Sequence, residues 1–399
     1  VKGKEKNMRR SLRKRALIVS IVFVFGFVTG QSCGQTGDKN YVVEPEKKIP
    51  VAYDVDVVVA GAGVSGIFAA IAAARTGAKT LLIDRFEEVG GISGPGRNAG
   101  GGNQAPGPPI RASYPIQWVY PEVTGIPKEF AERLMKMQVS QNRLDFSLAY
   151  SVLSQKMLEE ARVHVLLSTF VTDPIMEGKR VVGLFVENKS GRRAVKAKVV
   201  IDATGEADIA RRAGAPVLYP KAEYNKLDGH APTGIGTYAF VAGIDWKAYN
   251  AAYEKGDSRT DMSRYEPKDI GGLAKVFISK ERLQPQPMSF LPGLRKVDER
   301  YALAALKVQL VRPHPKVDAS NPEHMTALQV GIRDYVWETV QQIRKDVPGF
   351  QDCFVLGVAP YLGNRGGPCI DGEYTLTEDD TLAARKFDDV MYLYATGRS

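Results

Sequence analysis

Cysteine and histidine are scarce in this chain, three and four among 399 residues. Three cysteines cannot staple a disulfide scaffold, nor by themselves complete a four-ligand zinc site. Cys353 and Cys369 stand 16 positions apart, so there is no redox Cys-x-x-Cys, and neither an HxxxH pair nor a Ser–His–Asp order occurs. Metal and hydrolase chemistries therefore find no support. Net charge is scarce too, once it is located. Residues 1–33 hold eight of the 54 basic side chains and one of the 45 acidic ones, which leaves 46 against 44 in the rest. A body so close to neutral has no basic surplus for a polyanion, and nucleic acid is not expected as a partner. With 44% hydrophobic and 25% charged residues, the composition is neither that of a disordered chain nor that of a membrane-embedded one.

What is present begins with a leader. Met8-Arg9-Arg10-Ser11-Leu12-Arg13-Lys14-Arg15 forms a cationic segment, and Ala16–Gly30 is an apolar run of 15 residues. That is short for a membrane span of about 20 residues and suits the apolar region of a signal peptide. Residues 1–33 are expected to direct export, with an uncleaved anchor as the alternative. Arg9–Lys14 resembles a twin-arginine signal, and Ser32-Cys33 resembles the lipid-attachment site of bacterial lipoproteins. The expected location is periplasmic, or membrane-attached through this segment alone. Residues 34–51 read as a linker.

The strongest motif follows. Asp54–Ala60 is nearly continuous Val, the pattern of a buried parallel strand. It enters Gly61-Ala62-Gly63-Val64-Ser65-Gly66, then an Ala-rich helix, then a strand, Lys79–Ile83, ending on Asp84. Strand, GxGxxG, helix, strand and acid form the context of a dinucleotide site. Gly61 permits the tight turn, Gly63 lets the backbone approach a pyrophosphate, and Gly66 lets helix and strand pack closely. The helix N-terminus offers N–H groups to the phosphates, and Asp84 is placed to accept from ribose hydroxyls. The motif leaves NAD and FAD both open.

After Asp84 come Arg85-Phe86-Glu87-Glu88-Val89-Gly90-Gly91-Ile92-Ser93-Gly94, and eight of the chain's 39 glycines fall within residues 90–107. Here the chain resembles the FAD-dependent oxidoreductases of the glutathione-reductase-like superfamily, in which a Gly-Gly-x-Ser/Thr turn runs along the flavin side of the cofactor. Val199-Val200-Ile201-Asp202-Ala203-Thr204-Gly205 is similar to the Ala-Thr-Gly strand end of the same flavoproteins, although Glu206 stands where they usually have Asp. The resemblance implies FAD as cofactor, held by Gly61, Gly63, Ser65, Gly66, Asp84, Arg85, Gly91, Ser93, Ala203, Thr204 and Gly205. It also implies that the backbone of Val171 contacts the adenine. Gly363–Gly367 and Gly372–Asp380 (GEYTLTEDD) resemble a bacterial, often exported branch of these proteins. The likeness spans roughly residues 52–110, 145–216 and 355–390.

The implied fold is α/β. A glutathione-reductase-like, Rossmann-type FAD-binding domain, with a parallel sheet plus β-meander, carries an inserted mixed α+β substrate domain. The expected boundaries are 52–216 for the first part of the FAD-binding domain, 217–354 for the substrate domain and 355–399 for a return to the first. Within the insert, Thr237–Asp245 reads as a strand, whereas Leu303–Val311 and Met325–Val347 carry helical spacing. The family's last helix, whose N-terminus faces the flavin, is not found after Val390–Ser399, so the chain is expected to be C-terminally truncated.

Flavin chemistry asks the protein for orientation, charge placement and a proton donor or acceptor. His230, in the loop after Lys226–Gly229, and Arg365 are the candidates for the last of these. His164 reads as an ordinary strand residue, and His314 and His324 as structural. Cys353 and Cys369 either pair as a disulfide or stay as buried thiols. The expected function is hydride transfer between flavin and an unidentified small organic substrate. No second GxGxxG occurs, so electrons come from the substrate or a separate carrier. The alternative is a flavin- or ADP-binding protein without turnover, or an inactive fragment. An NAD-linked dehydrogenase is disfavoured by Gly90–Ser93 and Ala203–Gly205.

Overall fold

The structure is a computed structural model. It describes residues 42–91, 125–137, 146–218, 235–261, 265–278, 321–364 and 369–375, with shorter stretches at 290–291, 294–298, 303–310, 317, 377, 379–380, 383 and 385–388. Residues 1–48 form one compact unit and residues 49–399 a second. In the first, the described residues 42–48 are without helix or strand, and Lys47 pairs with Glu44. The leader lies outside the described residues. In the second unit no described helix is long and apolar enough to cross a membrane.

Strand β1 (Val51–Ala60) runs parallel to β2 (Thr80–Ile83) and to β6 (Gly191–Asp202). Its last residues, Val58, Val59 and Ala60, are fully buried because both sheet faces are covered there, and this is why the sequence shows continuous Val rather than alternation. Helix α1 (Val64–Arg75) buries Gly66, Ile67, Ala70 and Ile71 against the sheet. Helices α2 (Gly125–Lys136) and α3 (Phe146–Glu160) complete that layer. Phe130 is its centre, meeting Phe68 edge-on at 5.5 Å and Tyr150 at 4.9 Å between ring centroids. Outside, Arg75, Glu129, Arg133 and Glu160 form an alternating ionic chain across the three helices, with bidentate pairs at both ends. These groups are open to solvent, so the chain orients the helices more than it stabilises them.

The sheet continues through β3 (His164–Leu166), parallel to β2, and through the antiparallel strands β4 (Phe170–Glu177) and β5 (Arg180–Asn188), giving the order β3-β2-β1-β6-β5-β4. Strand β6 serves both halves. Its first residues pair antiparallel with β5, and from Ala194 onward it pairs parallel with β1. The expected parallel sheet and meander are thus joined by one strand. His164 is the exposed strand residue expected, 3.4 Å from the Tyr53 hydroxyl. Helix α4 (Asp208–Arg212) and strand β7 (Val217–Leu218) close this half.

The second half is built on β8 (Ile235–Ala242), followed by α5 (Trp246–Glu254), β9 (Lys268–Ile270), β10 (Ala274–Ile278), β11 (Phe290–Leu291), β12 (Leu294–Asp298) and β13 (Leu303–Leu310). Helix α6 (Pro322–Asp346) then packs over the sheet, burying Leu328, Ile332, Val336, Val340 and Ile343 at the spacing read from the sequence. The helical reading of 303–311 is overturned. Residues Leu303–Leu310 are a strand, paired with β8 on one side and with β12 and β10 on the other. An apolar run this short fits either period, and pairing on both edges decides it.

Strand β14 (Phe354–Val358) and the two-residue β15 (Gly363–Asn364) also pair with β8. The return to the first domain, expected at 355, is therefore not made there, because β8 still has an edge to fill. The chain comes back beside residues 216–218 at β16 (Cys369–Ile370), which pairs with β7, and Asp371 N–H donates to the Pro216 carbonyl at 2.8 Å. Cys353 is a free thiol, fully buried, and burial pushes its pKa up to about 11. The disulfide alternative with Cys369 is set aside accordingly.

Thr237 lies in β8 with its hydroxyl buried and without a hydrogen-bond partner among the described residues. Replacing an unpartnered buried hydroxyl by a methyl removes a desolvation penalty. Thr237→Val is expected to raise unfolding stability by about 1 kcal/mol, read as a higher urea midpoint at unchanged slope; a lower midpoint would show that the hydroxyl is bonded in solution.

Candidate functional site

The carboxyl ends of β1, β2 and β6 meet at one edge of the sheet, where Ala60 pairs with both Ile83 and Asp202. In open α/β sheets ligands bind in the crevice at these strand ends. Here the crevice is framed by three turns, after Ala60, after Ile83 and after Asp202.

The glycines of the first turn differ in what holds them. Gly61 sits at φ +101°, and a Cβ there would lie 2.5 Å from the Ala203 carbonyl oxygen. A Cβ on Gly66 would lie 1.8 Å from the Gly61 carbonyl oxygen. The chain's own packing demands both. Gly63 is different: its φ of −74° suits any residue, and a Cβ would find nothing nearer than Gly91 Cα at 4.0 Å among the described residues. It also N-caps α1 without a side-chain cap, and the first turn of α1 carries no acid. The result is a bare N-terminal turn with positive potential, left open by the described residues, the arrangement that takes a phosphate. Ser65 is exposed in that first turn.

The second turn is held by Asp84. Its carboxylate is buried, one oxygen accepting from Ala62 N–H at 2.6 Å and the other from Phe86 N–H at 2.9 Å. Asp84 thereby ties the glycine turn to the segment that follows β2. Gly90 N–H donates to the Ala62 carbonyl at 2.9 Å. Gly91, at φ +57°, has no room for a Cβ, which would lie 2.7 Å from Gly63 Cα. Ser151, from α3, donates to the Val89 carbonyl at 2.7 Å and fixes the segment from behind. Arg85 is exposed, its guanidinium 4.7 Å from the Phe86 ring centroid. Thr169 N–H donates to the Asp84 carbonyl at 3.0 Å, so the start of β4, with Val171 two residues on, is brought to the same end of the cleft.

The third turn contains Ala203, Thr204 and Gly205. Ala203 N–H extends the β6–β1 ladder to the Ala60 carbonyl at 2.9 Å, and Gly205 has open space where a Cβ would stand. Thr204 is turned to internal bonding. Its N–H and hydroxyl both donate to Asp202, at 3.0 and 2.7 Å, and the hydroxyl accepts from Asp208 N–H at 2.8 Å. Sequence reasoning passed over Asp202, Ala62 and Ser151. Asp202 alone left a signal, as a carboxylate directly before Ala-Thr-Gly at a strand end.

Of the sequence-predicted residues, the structure gathers Gly61, Gly63, Ser65, Gly66, Asp84, Arg85, Gly91, Ala203, Thr204 and Gly205 around this cleft. Ser93, His230 and Arg365 lie outside the described residues. The second half of the molecule touches the cleft's edge through Tyr361, whose ring packs edge-on against Phe86 at 4.2 Å between centroids. The Gly372–Asp380 stretch forms a knot of its own. Asp380 accepts from Tyr374 Oη, Thr377 N–H and Thr377 Oγ1 on one oxygen and from Arg385 on the other. The Thr377 and Tyr374 donors hold its carboxyl well below the usual carboxylate range.

The sequence model of a family described as FAD dependent oxidoreductase matches residues 56–394. Digeranylgeranylglycerophospholipid reductase 1 of Methanopyrus kandleri is 28% identical over 234 residues, covering 56% of this chain and 54% of that protein. The digeranylgeranylglycerophospholipid reductase of Picrophilus torridus is 30% identical over 171 residues, covering 41% and 42%. The chain thus spans about half the length of the curated relatives it matches. Among solved structures, a geranylgeranyl bacteriochlorophyll reductase-like protein from Thermoplasma acidophilum shows 16% identity over 79% of this chain and 66% of that one, with a TM-score of 0.40.

The contrast among the glycines gives a direct test. Gly63→Ala is expected to leave the apo protein folded, at a stability loss under about 1 kcal/mol, and to weaken FAD binding by at least about tenfold. Gly66→Ala is expected to give no folded protein at all. Equal FAD affinity in wild type and Gly63→Ala, measured by quenching of flavin fluorescence, would show that no ligand approaches that turn.

Proposed function

The chain belongs to the FAD dependent oxidoreductase family, and on that footing we propose that it carries out two-electron redox chemistry on an organic substrate with FAD bound along the carboxyl ends of β1, β2 and β6. The observation that carries this reading is Gly63, a turn left bare where the packing of the described residues would accept a side chain. Bound FAD supplies the site that accepts or gives up a hydride. Every other task falls to the chain's own residues.

In this reading the Gly61–Gly66 turn and the first turn of α1, Ser65 included, face the pyrophosphate. Asp84, already fixed by two backbone amides, lies beside the adenosine ribose, with Arg85 outside it and Val171 towards the adenine. Gly91 lines the path towards the flavin, and the backbone of Ala203 and Gly205 closes the opposite wall. Thr204 acts through the turn's shape rather than by direct contact, since its hydroxyl is engaged internally. His230 and Arg365 remain the candidates for moving a proton at the substrate. Electrons are exchanged with the substrate or a separate carrier.

The relatives' names put a substrate with a polyprenyl chain first among those to try. The outward face of β14 supports an apolar substrate, as Phe354 and Leu356 are 52% and 57% exposed there. A second reading, cofactor binding without turnover, makes a different spectroscopic demand. Purified protein is expected to show the flavin absorbance bands and to bleach anaerobically with a chemical reductant. Reoxidation of that reduced form by a polyprenyl alkene, faster than by buffer, would identify a reductase. A bound flavin indifferent to every alkene and hydroxyl compound offered would favour the binding-only reading.

We also assign the chain to the bacterial, exported branch, on the strength of the Met8–Cys33 leader and the Gly372–Asp380 stretch. Expressed from Met8 in a bacterium, the protein is expected in the periplasm or the membrane fraction, shortened at or before Cys33. A cytoplasmic product with Met8 intact would remove the export assignment and leave the redox one standing.

A further inference from the structure

The turn after β6 is shaped by a single side chain, that of the residue directly before Ala203-Thr204-Gly205. Asp202 is the last residue of β6, directly opposite Ala60 of β1. Its Oδ1 accepts from Thr204 N–H at 3.0 Å and from the Thr204 hydroxyl at 2.7 Å. Its Oδ2 accepts from Ile209 N–H and Ala210 N–H, both at 2.9 Å. One carboxylate thus grips both ends of the 203–208 turn, and the Thr204 hydroxyl takes Asp208 N–H between them.

The turn needs such a grip. Ala207 sits at φ +51° and ψ +44°, the left-handed region that favours glycine, and it N-caps α4 without a side-chain cap of its own. Asp202 supplies the missing cap from outside the helix. The turn also has no slack towards the glycine motif. The Ala203 carbonyl oxygen occupies the space a Cβ on Gly61 would need, and Ala203 Cβ lies 3.2 Å from where a Cβ on Gly66 would stand. A shift of Ala203 by a few tenths of an ångström must therefore displace the Gly61–Gly66 turn or open the gap between them.

We infer that Asp202 is a positioning residue for the cofactor: by binding Thr204, Ile209 and Ala210 at once it sets the backbone of Ala203–Gly205 against the Gly61–Gly66 turn at the spacing the FAD nucleotide requires. Asp202 does not touch the ligand and does not exchange protons with it. The inference rests on the reading that FAD lies in this cleft.

The chemistry of the four bonds selects the variant. A carboxylate has two acceptor oxygens, each receiving two donors here, whereas an asparagine amide has one oxygen and one NH2 group. Whichever way the amide of Asp202→Asn is turned, its NH2 faces two donors, so the turn loses one of its two anchors with almost no change in side-chain size. Asp202→Asn is expected to weaken FAD binding by about tenfold or more, the scale of a lost hydrogen bond to a charged group, and to alter the visible circular dichroism of the flavin that still binds. Thr204→Val keeps the Ile209 and Ala210 bonds and removes only the hydroxyl bonds, so its effect should have the same sign and be smaller.

The readouts separate this role from a merely structural one. If Asp202 only supports α4, Asp202→Asn lowers the melting temperature of the apo protein while the folded fraction binds FAD with wild-type affinity and wild-type circular dichroism, and the inference is overturned. Should Asp202→Asn fail to fold, Thr204→Val decides by the same two measurements. A wild-type chain that takes up no FAD refutes the proposed function itself; wild-type uptake with unchanged uptake by both variants refutes only the positioning role.

Discussion

The cleft at the carboxyl ends of β1, β2 and β6 depends on backbone lying against backbone. Between the Gly61–Gly66 turn and Ala203 there is no room for one methyl group, and the same is true between Gly91 and Gly63. Three turns that arrive from different strands are brought so close that their carbonyls and amides, rather than side chains, form the surface. Such a surface is rigid because it has no rotamers to change, and it presents fixed dipoles. The buried carboxylate of Asp84 and the carboxylate of Asp202 hold two of those turns by accepting backbone N–H groups. Bonds to charged acceptors are the stronger kind, which suits groups that must fix loops rather than respond to them.

The second half of the molecule is organised differently. Its sheet is covered on one face by α6, with Leu328, Ile332, Tyr335, Val336, Val340 and Ile343 buried in a common core with β8 and β10. On β14, Val355 and Val358 pack against that core while Phe354 and Leu356 stand outward. This alternation is that of a half-covered sheet. The ring contact between Phe86 and Tyr361 connects this half to the segment just past Asp84. The two halves thus keep separate cores that meet at an edge.

Legibility in the sequence followed the range of the interactions. Strand β1, its glycine turn, α1, β2 and Asp84 could be read directly, because hydrophobic period and turn chemistry are local properties. The long helix α6 was legible for the same reason. Residues 303–310 were misread because a run of eight carries too little period to separate strand from helix, and their pairing with β8 is not local. The same distance hid the membership of β14 in the second sheet. At the site, sequence assigned the glycines separate tasks but not the contact behind each: a Cβ on Gly66 would meet the Gly61 carbonyl oxygen, and one on Gly63 nothing nearer than Gly91 Cα among the described residues. Thr204 was read as a ligand because it stands within Ala-Thr-Gly, whereas its bonding is settled by Asp202 two residues earlier.

One strand, β6, belongs to two pairings at once, antiparallel to β5 over its first half and parallel to β1 to its end. Side chains along a strand alternate between faces, so a slip of one residue at the tight Lys189–Ser190 connection would be carried down the strand and turn every later residue over. Asp202 and Ala203 would then exchange faces, although they lie far from the connection. The hairpin works as a ruler for the cleft: chain length in a remote surface turn is as strictly fixed as any residue around the cofactor. Close approach of β5 and β6 at Gly183, where a Cβ would stand 2.2 Å from the Val195 carbonyl oxygen, is the stop against which that ruler is set.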